Sequence, residues 1–121
     1  MVHFLQYFIV VTDQLVGGGP YSGNVFVNGR PVCDEEWDLA DAGVVCGLLF
    51  KDGIALEATK NSRFGYEAIK KSRFGYVEED FSMTKVHCQG NETSLLQCGH
   101  VTEIIYCWGA AGVVCRGNTG L

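Results

Sequence analysis

The spacing of apolar residues along this 121-residue chain changes period several times, and each change marks an element. From Gly23 to Val32, Val25 and Val27 alternate with their neighbours, and Asn28-Gly29 accepts the positive φ angles of a two-residue turn. This stretch predicts a β-hairpin. From Trp37 the period lengthens: Leu39, Ala42, Val45, Cys46 and Leu49 recur at three- and four-residue steps. That pattern predicts a helix over Trp37–Leu49 with these residues on its buried face. Asp38 stands where it can cap the helix, Asp41 follows three residues later as in a capping box, and Asp52-Gly53 stops it. Thr93–Cys98 predicts a short second helix, and Gly112–Arg116 a final buried strand. Phe4–Val11 is apolar apart from Gln6, but a bilayer needs about 20 residues. Residues 1–12 read as a degenerate or clipped signal peptide; an ordinary first strand, or a stub of a longer chain, would look the same. Residues 13–116 form the domain and 117–121 a short tail.

The cysteines decide the class. There are six, spaced by 13, 42, 10, 9 and 8 residues, with no Cys-x-x-Cys pair of the kind zinc and redox sites use. Two nearly identical phrases frame them, Ala42-Gly43-Val44-Val45-Cys46 and Ala111-Gly112-Val113-Val114-Cys115. Together with sixteen glycines, this reads as the disulfide framework of a loop-rich extracellular domain. Three bridges at about 2–4 kcal/mol each would decide whether so small a core folds. Spacing alone leaves all 15 pairings open.

The net charge of −5 argues against general affinity for nucleic acid or anionic membranes. The charge is unevenly spread. Asp34, Glu35, Glu36, Asp38 and Asp41 form an acidic block, whereas Lys60, Arg63, Lys70, Lys71 and Arg73 hold five of the nine basic residues. This basic segment contains a tandem repeat: Ser62-Arg63-Phe64-Gly65-Tyr66 recurs as Ser72-Arg73-Phe74-Gly75-Tyr76. Two short copies cannot make a solenoid, so the segment reads as a surface loop lengthened by duplication, with the first copy favoured as the insert and the second as the alternative. Ten extra residues cost less than about 1 kcal/mol in loop closure.

No motif of a catalytic nucleophile, metalloprotease or phosphate loop occurs. His3, His87 and His100 are scattered; the last two would approach each other if Cys88 bonds Cys98, and read as surface residues. Asp38 and Asp41 suit the helix N-terminus, and Trp37 suits the core. The sequence predicts no enzyme. Asn91-Glu92-Thr93 is an N-glycosylation sequon in a loop between cysteines, and Asn91 is expected to carry a glycan.

Several phrases resemble the scavenger receptor cysteine-rich domain. They are Leu15-Val16-Gly17-Gly18, Gly23-Asn24-Val25, Val32-Cys33-Asp34-Glu35-Glu36-Trp37-Asp38, Val44-Val45-Cys46, Ser94-Leu95-Leu96-Gln97-Cys98 and Gly112-Val113-Val114-Cys115. The resemblance implies an α+β fold: a small disulfide-stapled domain whose curved antiparallel β-sheet cradles one main helix, with a short second helix and long loops. It implies the six-cysteine group A pairing, Cys33–Cys107, Cys46–Cys115 and Cys88–Cys98, with Phe50 in the region where eight-cysteine relatives carry another half-cystine. Several members hold calcium in an acidic cluster. Here its positions read Thr84, Lys85, Gly109 and Ala110, so no cofactor is expected, and Lys85 either replaces the ion electrostatically or is a solvated lysine.

The functional expectation is an extracellular, non-enzymatic recognition domain, secreted or part of a cell-surface ectodomain. Its ligands would be polyanions or microbial surfaces, bound through Lys60, Arg63, Tyr66, Lys70, Lys71, Arg73 and Tyr76. The alternative is a protein–protein adhesion or accessory module within a multidomain protein. Nucleic acid and direct membrane insertion are not expected.

Overall fold

A computed structural model describes residues 13–65, 81–104 and 106–117. Five strands form an antiparallel sheet: β1 (Asp13–Gly17), β2 (Ser22–Val27), β3 (Arg30–Pro31), β4 (Ile54–Thr59) and β7 (Gly112–Arg116). Their order is β1-β2-β7-β4, with β3 paired to β2. A separate ribbon pairs β5 (Thr84–His87) with β6 (Gly99–Val101). The helix α1 (Leu39–Leu49) packs against β4 and β7.

The expected hairpin is β2–β3, and its turn residues Asn28 and Gly29 both have positive φ (54° and 80°). Alternation along β2 serves two cores. Val25 and Val27 face a cluster with Trp37, Ala42, Val45, Val86, Leu95 and Val113, while Phe26 faces a second with Cys33, Phe81, Ile104 and Cys107. Two apolar faces explain why β2 reads as almost continuously buried. Close approach of β7 to its neighbours requires Gly112, where a Cβ would lie 2.4 Å from the Thr59 hydroxyl and 2.7 Å from the Gly23 carbonyl.

Asp38 caps α1, and the capping box closes in both directions: Asp41 N donates to Asp38 Oδ1 at 3.1 Å and Asp38 N to Asp41 Oδ2 at 2.9 Å. Trp37 is buried and its indole N–H donates to the Gly112 carbonyl at 2.9 Å, tying the helix start to β7. Two expectations need correction. Leu39 is 54% exposed, and Val44 takes a place on the buried face instead. Leu39 is the first residue after the cap and faces outward. The second helix is a single 3₁₀ turn, Leu95–Gln97, capped by Ser94 and closed by Cys98 N donating to Leu95 O at 3.0 Å. It buries Leu95 and goes no further.

Three disulfides staple this arrangement. Cys33 bonds Cys107, Cys46 on α1 bonds Cys115 on β7, and Cys88 bonds Cys98 beside the β5–β6 ribbon. No cysteine is free. Among the described residues, the molecule is a small α+β domain with one α-helix, antiparallel sheets and disulfide staples.

Candidate functional site

Of the seven basic and aromatic residues expected to bind ligand, Tyr66, Lys70, Lys71, Arg73 and Tyr76 lie outside the described residues. Lys60 and Arg63 lie within them, at the start of the segment, and the first repeat copy is seated firmly. Ser62 is buried; its N–H donates to the Ala110 carbonyl at 3.0 Å and its hydroxyl accepts from Ala110 N at 2.8 Å. The buried Asn24 side chain donates to the Gly65 carbonyl at 3.0 Å and accepts from Phe64 N at 3.4 Å. Gly17 (φ +91°) makes room, since a Cβ there would sit 2.3 Å from the Phe64 carbonyl oxygen. Ser62–Gly65 of the first copy is therefore part of the domain's structure, while the second copy lies outside the described residues.

From this seat Lys60 projects as an exposed residue, while Arg63 pairs with Glu57 of β4, both about half exposed, and lies 5.7 Å from the Phe64 ring centroid. Asn61 N donates to Asp34 Oδ2 at 2.7 Å. Burial lifts the Asp34 carboxyl above the ordinary range, with this hydrogen bond and the Lys60 charge pulling it down. Asn61 and Ser62 both hold positive φ (60° and 52°), a left-handed pair that costs of order 1–3 kcal/mol per non-glycine residue. The contacts to Asp34, Ala110 and Asn24 hold it.

Asn91 is exposed, in a turn organised by the next residue. Glu92 accepts from Gln89 N (2.9 Å) and Gly90 N (2.9 Å), and these backbone bonds lower its pKa. The third sequon residue is engaged as well: Thr93 donates from its backbone and its hydroxyl to Gln97 Oε1 at 2.8 and 3.1 Å. His87 is exposed, while His100 is half-buried with Nδ1 2.7 Å from the Cys98 carbonyl.

Calcium takes six to eight oxygen ligands, many from carboxylates. The four positions where the family's acidic cluster stands do not supply them. Thr84 is buried, Lys85 is exposed and brings a positive charge, and Ala110 is fully buried with both backbone polar groups bonded to Ser62. Among the described residues, the two groups with convergent ligand atoms are Cys33, Asp34, Cys107 and Cys88, Glu92, Cys98. In each, two of the three atoms are sulfurs already locked in a disulfide.

A site the sequence reading missed lies next to these positions. Glu35, Thr84, Lys85, Val101, Glu103, Ile104 and Tyr106 line a cleft of about 220 Å³. Lys85 has φ +54°, and the β5–β6 register slips between Thr84 and His87, an irregularity that re-aims side chains. Tyr106 and Trp108 are 54% and 62% exposed, and their rings meet edge-to-face at 6.0 Å. The available signal was two aromatics flanking the half-cystine Cys107 in a segment without strand or helix periodicity.

A single-helix α+β domain, stapled by three disulfides and displaying charged and aromatic loops, defines a recognition module. The family model of the scavenger receptor cysteine-rich domain matches residues 16–116. The chain belongs to that family. It is 38% identical over 118 residues to a scavenger receptor cysteine-rich domain superfamily protein of Patiria pectinifera, covering 87% of this chain and 9% of that protein. It is 33% identical over 114 residues to galectin-3-binding protein of Rattus norvegicus (88% of this chain, 18% of that protein). A match to lysyl oxidase homolog 2 of Homo sapiens is 36% identical over 87 residues, 67% of this chain and 10% of that enzyme. The chain thus spans less than a fifth of these relatives. The dimeric form of the mouse MARCO domain superposes with a TM-score of 0.56 at 26% identity, covering 82% of this chain and 90% of that one. Domains of this family are extracellular and generally non-catalytic, serving as ligand-binding or protein-interaction modules.

Proposed function

We propose that this domain binds polyanionic ligands, such as sulfated or phosphorylated polymers at cell or microbial surfaces, through the basic segment 60–76, without calcium. The observation that carries the reading is the seat of the first copy. Asn24, Ala110 and Asp34 fix the backbone at residues 61–65, so Lys60 and Arg63 are presented from a rigid base. Preorganisation lowers the entropy cost of binding. Five cations in fourteen residues of an otherwise acidic chain concentrate positive potential there. The test is binding to immobilised heparin across a salt series with chelator present. Binding should fall steeply with salt and persist in chelator, and Arg63→Ala with Arg73→Ala should weaken it at least about tenfold. Binding that survives the double substitution would overturn the reading.

A second reading, protein–protein adhesion, is favoured by β4. Among the described residues this strand pairs on one side only, with β7, and exposes Ile54 and Leu56. Such an edge suits strand addition by a partner. Binding of this kind would depend weakly on salt and fail on Leu56→Lys.

A further inference from the structure

We propose that the cleft beside Tyr106 is a second binding site, for one neutral pyranose unit of a glycan. This inference does not rest on the basic segment. The cleft is walled by side chains from three separate parts of the chain: Glu35 before α1, Thr84 and Lys85 on β5, and Glu103 and Tyr106 after β6. Its volume of about 220 Å³ falls below the 300–1,000 Å³ typical of sites for larger ligands. One sugar ring fits that scale; an extended chain does not.

The polar groups are mixed in sign, and that selects the ligand class. Two carboxylates against one ammonium repel a sulfated or phosphorylated polymer. A lone basic side chain entering between Glu35 and Glu103 would meet Lys85. Sugar hydroxyls suit both, since each donates to a carboxylate and accepts from an ammonium. Thr84, in the cleft wall, is buried and its hydroxyl has no hydrogen-bond partner. A buried hydroxyl left unpaired is costly and calls for explanation; a small shift toward a bound sugar would satisfy it.

The aromatic pair supplies the remaining recognition. The C–H face of a pyranose carries slight positive charge and packs on the negative face of an aromatic ring. Tyr106 lines the cleft, and Trp108 meets it edge-to-face at 6.0 Å with 62% of its surface open.

Intrinsic fluorescence reads this site directly. Trp37 is 2% exposed and bonded to Gly112, so a change on adding a sugar reports Trp108. The intact chain is titrated with methyl glycosides of mannose, galactose, fucose and N-acetylglucosamine, and in parallel with heparin and an oligolysine peptide. The expected result is saturable quenching or a blue shift with at least one glycoside, unchanged by salt. Trp108→Phe then serves as the silent control. Tyr106→Ala and Glu103→Gln each weaken binding by about tenfold, while the circular dichroism spectrum stays that of the parent. No saturable response to any glycoside, a response to heparin or oligolysine alone, or glycoside affinity indifferent to both substitutions would overturn the proposal. Loss of heparin binding through the basic segment would leave it standing.

Discussion

At the start of α1 one carboxylate serves two backbone donors. Asp41 accepts from Asp38 N through Oδ2 and from Cys88 N, at 2.8 Å, through Oδ1. The residue thus closes the capping box and pins the helix to the half-cystine that follows β5. The cap was legible in the sequence because capping is local and spaced by three residues. The tie to Cys88 was not, since it spans 47 positions. Burial raises the Asp41 carboxyl from 3.8 to about 6, outweighing its two backbone bonds, with neighbouring Asp38 adding to the rise. The folded state therefore holds a proton that the unfolded chain releases near 3.8. This contribution is complete below pH 3.8 and is lost as pH rises through about 6. Urea unfolding at pH 4, 5, 6 and 7 should show stability declining across this window, with Asp34, also raised, adding to the slope. Asp41→Asn should flatten the slope and lower the plateau by about 1–3 kcal/mol, because the two N–H donors use different oxygens and the amide NH2 that replaces one of them cannot accept. An undiminished slope in the variant would place the titration elsewhere.

Among the elements, those with local signals were legible and those made by distant partners were not. The β2–β3 hairpin is written in Val25, Val27 and Asn28-Gly29, and α1 in its caps and period. By contrast, β4 is Ile-Ala-Leu-Glu-Ala-Thr, a sequence as suited to a helix as to a strand. It becomes a strand by pairing with β7, with register at Thr59↔Gly112 and Ala55↔Cys115 across 53 and 60 residues; Ala55 and Ala58, partly buried, pack against the core. Similarly, β5 and β6 form around the Cys88–Cys98 bridge. The repeat shows the same division. Its existence was plain, but the seat of Ser62–Gly65 depended on contacts from Asn24, Ala110 and Gly17. Because the copies are identical, deleting residues 66–75 leaves one Ser-Arg-Phe-Gly-Tyr unit, Ser62–Gly65 followed by Tyr76. The seat is retained, so the shortened chain should fold with the same disulfides and a stability within about 1 kcal/mol of the parent. It loses Lys70, Lys71 and Arg73, so heparin affinity should fall. A deletion variant that cannot fold, as judged by thermal unfolding and peptide mapping, would mean the second copy is structural too.

Across the whole molecule the staples act on different scales. Cys33–Cys107 and Cys46–Cys115 span 74 and 69 residues, whereas Cys88–Cys98 spans 10. No spacing rule distinguished this pairing from the other fourteen; the family resemblance supplied it, because pairing follows the folded topology rather than the order of cysteines. In the chain-entropy view a long loop constrains the unfolded state more, by about 4 kcal/mol against about 3 for the short one. Burial does not separate them: Cys46, Cys115, Cys88 and Cys98 all lie in the cluster containing Val45, Val113 and Trp37. Loss of either bridge leaves a cavity, and loop length sets the difference. The Cys88→Ala, Cys98→Ala pair should therefore remain folded, since Asp41 still holds Cys88 N and Leu95 still fills the core. The Cys46→Ala, Cys115→Ala pair should lose at least about 1 kcal/mol more, and with so small a core it should approach complete unfolding at physiological temperature. Urea denaturation of the two variants, each with its remaining bridges mapped under non-reducing conditions, measures the difference. A reversed order would mean that the β5–β6 ribbon, not the helix–sheet core, limits stability, and the cleft beside it would then be the first part of the molecule to fail.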